Sequence, residues 1–471
     1  MFITLKIIMG DMDFKILEKI PLYYAFSELG KRISLPQGIF YWSGRAKKEA
    51  ELIGTIGTAY AHEDEFITKG RSEWLPCYLE GINEYFKNLE MNDLVPYAAI
   101  SGISELREIW KNWIIYKSLF NEKEDMEKLD RLKKYITTPI VTTGVTNGIF
   151  LICSLLLNAD EYIITPNKRW GNYDNIIKGF LGARIKSFQY FKEQQFNFEG
   201  FEEAIDEVAA LQNKVLIILN FPNNPTGHVP TKEEGLKLIE LLRVKQKEIE
   251  KPIIVIIDDA YEPYVYTDNA MNRSLFYDLQ DLDEDIIPIK LDGATKELLL
   301  YGGRIGFITI GLKPKWTKNE NELEILKNEI DNKLSGLIRS TISNCNHFYQ
   351  ALMIKLFNTK GIEEIRKMRE PIHNLLRERY VKINSELEKI ENPNISVDPN
   401  SGGFFNFINL NPNHIKASEF AELLLTKYKV GVIPIEKPDE NVNGIRIAYC
   451  SIDVVQIPEI VRRIKSALAD F

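Results

Sequence analysis

Between residues 137 and 311, short β-branched apolar runs alternate with helical segments, and this alternation restricts the fold more than any other feature of the chain. Residues 140–143 read as a strand and 146–157 as a helix that is apolar nearly all round, hence buried. Strand, helix and strand follow at 162–165, 172–181 and 183–188. Next come an apolar run at 215–219, a helix over 231–248 with Thr231 as its N-cap, and an apolar β-branched run at 253–257. A strand apolar at every position needs cover on both faces. The pattern predicts an α/β fold, a mostly parallel sheet with helices on both faces. Ligands of such sheets bind outside the carboxyl ends of the strands, and each unusual loop of this chain follows a strand.

The flanks have a different texture. Residues 11–90 are irregular, with helical pieces and Gly-rich turns, among them the small-residue run 54–59. Residues 101–118 read as an amphipathic helix with Ile103, Leu106, Ile109, Trp110 and Trp113 at helical spacing, and the charged run 121–134 as a solvated helix or loop. Past Ser343, helical segments over 362–389, 417–428 and from 457 mix with short strands at 395–397, 404–409, 430–434 and 445–449. This predicts a smaller α+β domain, joined in space by part of the N-terminal segment. The expected division is an arm and part of the small domain at 1–90, a large domain at 91–345 and a C-terminal small domain at 346–471.

Net charge is −8, so nothing favours a nucleic-acid partner. The four cysteines are scattered without metal-ligand spacing, which suits a reducing, cytoplasmic setting. Residues 1–10 are apolar but too short for a membrane span, and they lack a charged start and a small-residue cleavage site. An ordered arm or frayed end is expected there, with no membrane association.

Four loops carry unusual chemistry. In residues 291–306, Lys296 lies between turns of small residues, and Arg304 follows a Gly-Gly pair. Burial and neighbouring cations lower a lysine pKa and make the amine a nucleophile towards carbonyls. The octet 220–227 has a proline on each side of Asn223 and Asn224, which fixes the turn and gives Asn224 a defined direction. In the tetrad 258–261, Asp258 ends an apolar strand, where a carboxylate is costly unless it meets a cation such as a protonated pyridine nitrogen. Either aspartate there could instead cap a helix. Residues 143–148 lead from a strand into a helix, and free N–H groups at a helix N-terminus bind phosphate.

Together the octet with Asn224, the Asp258–Tyr261 tetrad, Lys296 and Arg304 resemble the fold-type I, pyridoxal-phosphate-dependent aminotransferases of class I/II, over residues 54–450. Trp170-Gly171-Asn172-Tyr173, the stretch 97–102 and the strand 443–447 resemble further segments of the aspartate aminotransferases. The resemblance implies pyridoxal 5'-phosphate as cofactor, an amino acid and a 2-oxo acid such as 2-oxoglutarate as substrates, and a homodimer. Lys296 would carry the cofactor covalently and move protons. Asp258 would pair with the pyridine nitrogen, and Tyr261 and Asn224 with the phenolic oxygen. Trp170 would stack on the ring. Arg304 would clamp the phosphate with backbone N–H groups near Gly144, Val145 and Thr146, and Tyr97 would reach the phosphate of the neighbouring subunit. Arg446 would take the substrate α-carboxylate as a fork, with Ile56 and Gly57 at the pocket edge. Arg339 resembles a second arginine, contributed by the partner subunit, that binds a distal carboxylate of aspartate or glutamate.

Two departures stand out. Gly293 replaces a phosphate-binding serine, leaving Thr295 or Thr146 to take over, and Tyr173 replaces a histidine. A lyase, decarboxylase or synthase using the same cofactor would share Lys296 and Asp258, because a fold does not fix a reaction. A cofactor-sensing regulator is disfavoured, since no basic recognition helix precedes residue 54.

Overall fold

The computed structural model describes residue 14 and residues 16–35, 37–118 and 126–471; the apolar stretch 1–10 and residues 121–125 of the charged run lie outside the described residues. The central sheet has seven strands: β1 (Ile140–Thr142), β2 (Tyr162–Pro166), β3 (Arg184–Phe188), β4 (Val215–Asn220), β5 (Ile253–Asp258), β6 (Ile286–Gly293) and β7 (Gly306–Ile310). Their order is β1-β7-β6-β5-β4-β2-β3. Strand β7 runs antiparallel to both neighbours, and the other pairings are parallel.

Burial alternates along the central strands. In β5, Ile253, Val255 and Ile257 enter one core, while Ile254 and Ile256 enter the other. Strand β4 divides the same way, Val215, Ile217 and Leu219 against Leu216 and Ile218. Each such side chain gains roughly 2 kcal/mol on leaving water. The first core is closed by α1 (Ser104–Ser118), whose Trp110 stacks on Phe307 of β7 at 4.2 Å. The second is closed by α2 (Val145–Leu156), through Ile149, Leu151 and Ile152. Helix α3 (Lys232–Ile249) starts at Thr231, whose hydroxyl accepts from the Glu234 N–H, as expected of an N-cap.

Two elements differ from the periodicity. The helix expected at 172–181 is a short turn, Asn172–Asp174, running into a π-turn, Asn175–Phe180. A π-turn slips the side-chain phase by one residue, which ten residues of pattern do not reveal. A 22-residue helix, Glu320–Thr341, follows the sheet where no element was expected; Leu323, Leu334 and Ile338 are buried in the second core, with Leu326, Ile330 and Leu337 packed partly buried beside them.

The C-terminal part holds an antiparallel sheet of four strands, β8 (Ile395–Val397), β9 (Phe405–Leu410), β10 (Ile433–Lys437) and β11 (Val442–Ala448), in the order β8-β9-β11-β10. Leu52–Ile53 pairs in parallel with Val430–Gly431, so the N-terminal segment reaches this part of the molecule. No described helix is long and apolar enough to cross a membrane. All four cysteines are buried and unpaired.

Candidate active site

Strand direction assembles the site. Strands β1, β2, β4, β5 and β6 are mutually parallel, so the loops after them open at one edge of the sheet. Gly144, Trp170, Asn224, Tyr261 and Lys296 follow those five strands in turn. Because β7 is antiparallel, its beginning lies at that same edge, and this brings in Arg304.

Asp258 is the last residue of β5 and is buried. Its Oδ2 accepts from the Tyr173 hydroxyl at 2.5 Å, and its Oδ1 from the Ala260 N–H at 3.1 Å. Burial raises its pKa, and Tyr173 offsets this only in part. Among the described residues no cation forms an ion pair with it. Tyr173, the departure from histidine, is thus the group that orients this carboxylate.

Lys296 sits in the short helical turn Ala294–Glu297 directly after β6. The Tyr264 hydroxyl donates to its carbonyl at 2.8 Å, which anchors the backbone. Its Nζ lies 5.8 Å from the Tyr261 ring centre and 5.3 Å from that of Tyr301. Burial lowers its pKa to about 8, with help from the positive charges of Arg304 and Arg446. An amine so placed is substantially neutral near pH 8 and able to attack a carbonyl.

Helix α2 begins at Gly144, which has φ of +79°. A Cβ at this position would lie 2.5 Å from Nη2 of Arg304, so glycine is what lets the guanidinium reach the helix end. The N–H groups of Val145 and Thr146 start the helix beside it. Thr295 has a buried hydroxyl oxygen without a hydrogen-bond partner. Helix N-terminus, guanidinium and hydroxyl together suit a phosphate.

Arg446 of β11 crosses from the small sheet. Its Nη1 donates to Asn224 Oδ1 at 3.1 Å and its Nη2 to the Thr55 carbonyl at 2.9 Å. The guanidinium lies 4.3 Å from the centre of the Phe405 ring, and Nε is buried without a partner. Burial lowers the pKa to about 10, since no carboxylate compensates. A Cβ on Gly57 would come within 2.9 Å of Phe405, so a small residue is needed here too. Asn224 is held twice, by Arg446 and through its own N–H to Asn220 Oδ1 at 2.8 Å.

The expected residues do not all gather. Lys296, Asp258, Tyr261, Asn224, Arg446 and Gly57 converge in one cleft, with Trp170 beside Tyr173 at 5.6 Å between ring centres. Tyr97 is 90 % exposed. Arg339 is also exposed and donates to the Ser343 hydroxyl. That hydroxyl donates to Asn344, whose amide donates to the Ala98 carbonyl at 2.7 Å. Arg339 is thus tied to the residue next to Tyr97, and both side chains are exposed in the single chain. Sequence reasoning missed Phe405 and Tyr301. The Gly-Gly-Phe-Phe run 402–405 is a weak signal for the first; nothing marks the second.

The groups left unsatisfied match pyridoxal phosphate. Asp258 lacks a cation, Thr295 and Arg446 each hold a buried polar atom without a partner, and the Gly144 cradle has room only because it lacks a side chain. The model of the family "Aminotransferase class I and II" matches residues 119–464. A probable aspartate/prephenate aminotransferase of Aquifex aeolicus is 26% identical over 384 residues, 79% of this chain and 84% of that protein. The crystal structure of an aminotransferase from Anaerococcus prevotii shares the fold with a TM-score of 0.75 at 23% identity, covering 94% of this chain and 98% of its own. The kynurenine aminotransferase of Pyrococcus horikoshii, solved with PMP, has a TM-score of 0.72 at 17% identity, covering 96% and 98%. With the family match spanning nearly three quarters of its length, the chain belongs to the class I and II aminotransferases and is a pyridoxal-phosphate-dependent enzyme of that kind.

Proposed function

We propose that this aminotransferase moves an amino group from aspartate or a bulkier amino acid to 2-oxoglutarate, with the cleft residues in the roles the resemblance implies. The observation that carries this reading is Arg446, a buried guanidinium with an unpartnered Nε, no carboxylate partner and a lysine of lowered pKa in the same cleft. Such a fork suits an α-carboxylate, since a buried cation is strongly favoured by a partner.

Bound pyridoxal phosphate supplies a sink for the electrons released when the Cα–H bond of the amino acid breaks. The rest falls to the chain. Arg446 holds the α-carboxylate and so aims Cα. Lys296 holds the cofactor and, when released, its neutral Nζ takes the Cα proton. Asp258, oriented by Tyr173, keeps a proton on the pyridine nitrogen by offering it a negative partner. Asn224 accepts from Arg446 through Oδ1, which leaves its NH2 end to meet the phenolic oxygen together with Tyr261. Trp170 covers the ring. Arg304, the N–H groups of Val145 and Thr146 past the Gly144 turn, and the Thr295 hydroxyl hold the phosphate, the Gly144 N–H being given to the Thr142 carbonyl at 2.8 Å. Residues 91–345 serve as the cofactor-binding domain, and 346–471 with part of 1–90 as the small domain.

The partner-subunit roles belong to a homodimer. The exposure of Tyr97, and the hydrogen bonds that run from Arg339 through Ser343 and Asn344 to its neighbour Ala98, support a second copy meeting this surface. Arg339 would then read a distal carboxylate. The relatives' names span aspartate/prephenate and kynurenine, which leaves the donor wider than aspartate. We place the enzyme in the cytoplasm, in keeping with four unpaired cysteines. Family membership favours transfer over lyase, decarboxylase or synthase chemistry. A panel of amino acids with 2-oxoglutarate, read by glutamate formation, tests the proposal. Glutamate formed from no amino acid, with 2-oxo acid or carbon dioxide released instead, overturns it.

A further inference from the structure

Three residues of the cleft are each followed by a carboxylate that turns the other way: Asp258 by Asp259, Tyr261 by Glu262, and Lys296 by Glu297. All three carboxylates are buried, as is Asp292 of β6, four residues before Lys296. Two lysines tie them together. Lys117, at the end of α1, places Nζ 2.7 Å from Glu262, 3.2 Å from Asp292 and 3.1 Å from Glu297. Lys290 of β6 places Nζ against Asp259 and 2.9 Å from Glu262. Donors outside the lysines add to the set: Trp110 Nε1 donates to Asp292 at 2.9 Å, Trp113 Nε1 to Glu297 at 2.8 Å, and Arg369 Nη1 to Glu297 at 3.2 Å, while Asp259 Oδ1 is left without a partner.

This network is costly. Burial alone would discharge both lysines, and it is outweighed by the carboxylates, which hold both ammonium groups charged. Replacing a buried charge network with apolar side chains is often neutral or stabilising, so stability by itself gives little reason to have one. What distinguishes this one is its attachment. Three of the four carboxylates, Asp259, Glu262 and Glu297, are one peptide bond from a residue whose direction the site depends on.

We propose that Lys117 and Lys290, through Asp259, Glu262 and Glu297, are positioning residues: they clamp the backbone on the far side of Asp258, Tyr261 and Lys296 and thereby hold these three in mutual register. The inference rests on the assignment of those three residues to the cofactor. The two side chains of each pair share one short stretch of backbone, so anchoring Asp259, Glu262 or Glu297 in the network restrains the peptide that carries Asp258, Tyr261 or Lys296. The ammonium of Lys117 acts on two loops at once, because Glu262 and Glu297 lie after different strands. A misplacement of about 1 Å in such a site costs on the order of 100-fold in rate.

The test uses purified holoenzyme of wild type, Lys117→Met, Lys117→Arg, Glu297→Gln and a control, Leu238→Ala, in the core under α3. Thermal stability, kcat, KM and the pH midpoint of the bound cofactor's absorbance are measured for each. We expect Lys117→Met to lower kcat roughly 30- to 100-fold, with KM within about 3-fold and the absorbance midpoint moved by at least about half a pH unit. Lys117→Arg should recover part of kcat, and the control should keep wild-type kcat despite a comparable loss of stability. Should Lys117→Met not fold, near-isosteric Glu297→Gln decides: it should stay folded, lose about 10-fold in kcat and move the midpoint in the same way. Wild-type kcat and midpoint in the folded variants, whatever their stability, would overturn the proposal. Failure of the site assignment itself reads differently, as Lys296→Ala that still turns over.

Discussion

Two clusters of buried charge lie back to back at the carboxyl ends of the strands, and they are finished to different degrees. On the network side, Lys117 and Lys290 meet four carboxylates, and indole and guanidinium donors reach further oxygens, leaving Asp259 Oδ1 without a partner. On the cleft side, among the described residues, Asp258 has no cation, Lys296 no carboxylate within ion-pair reach and Arg446 an idle Nε. The pKa directions follow. Burial raises Asp258 and lowers Lys296 and Arg446, whereas carboxylates overcome burial at Lys117 and Lys290; Asp259 is the exception on the network side, burial raising it to about 7 despite Lys290. Buried charges that their own chain leaves unpaired, gathered in one cleft, suit a ligand; charges paired on several sides suit a structural hold.

Removing the amine of the cleft is the severest break in this contrast. Lys296→Ala should abolish turnover and the covalent hold on the cofactor while the fold persists, because no other group there can form the linkage. Borohydride reduction and peptide mapping check it, and label on Lys290 or Lys117 would reverse the roles given to the two clusters.

Titration sharpens the contrast next. In cofactor-free protein, Lys296 should be half-reactive towards an acylating reagent near pH 8, its folded value, against about 10.4 for an ordinary lysine. The lowered value means the amine is protonated and silent below pH 8 and reactive above it. Lys117 and Lys290 stay protonated, hence unlabelled, over the same range. Labelling that rises only near pH 10 would show Lys296 to be solvated.

Asp258→Asn should keep the cofactor bound and lower kcat roughly 100-fold or more, since a neutral amide no longer favours a protonated ring nitrogen. Asp259→Asn belongs to the other cluster and, acting only through the position of its neighbours, should lower kcat less than Asp258→Asn and leave the ring nitrogen its partner. If Asp259→Asn were the more damaging of the two, the directions of the two side chains would be reversed.

Arg446→Lys keeps the charge but loses the fork, and KM for every amino donor should rise about 10- to 30-fold with a smaller change in kcat. Steady-state kinetics on several donors tests it. An unchanged KM would assign the guanidinium to joining the two sheets through Asn224 and Thr55.

The smallest effect is expected outside both clusters. Arg339→Ala should raise KM for dicarboxylic substrates about 10-fold and leave alanine or phenylalanine unaffected, in an enzyme that light scattering finds dimeric. Equal effects on all substrates, or a fully active monomer, would return Arg339 to the surface helix end where it lies in the single chain.

Much of the sheet was legible because burial on both faces demands unbroken apolar runs, and 215–219 and 253–257 are such runs. The loops bearing Asn224, Asp258 and Lys296 were legible for a related reason: a polar residue at the end of an apolar strand conflicts with its surroundings unless it has a task. That conflict is local, and the sequence by itself determined it. The same reasoning applied to Lys290 and Asp292 would have exposed the network, for they alternate with Ile289 and Leu291 on the strand leading to Lys296. Their partners could not be read. Lys117 lies more than 140 residues from Glu262, at the end of a helix whose pattern shows only an amphipathic stripe. Likewise Phe405 beneath Arg446, and Tyr173 on Asp258, are ordinary aromatics until the chain folds. Strand direction and sheet order decided which residues meet, and those depend on pairings between distant segments, which no window of sequence contains.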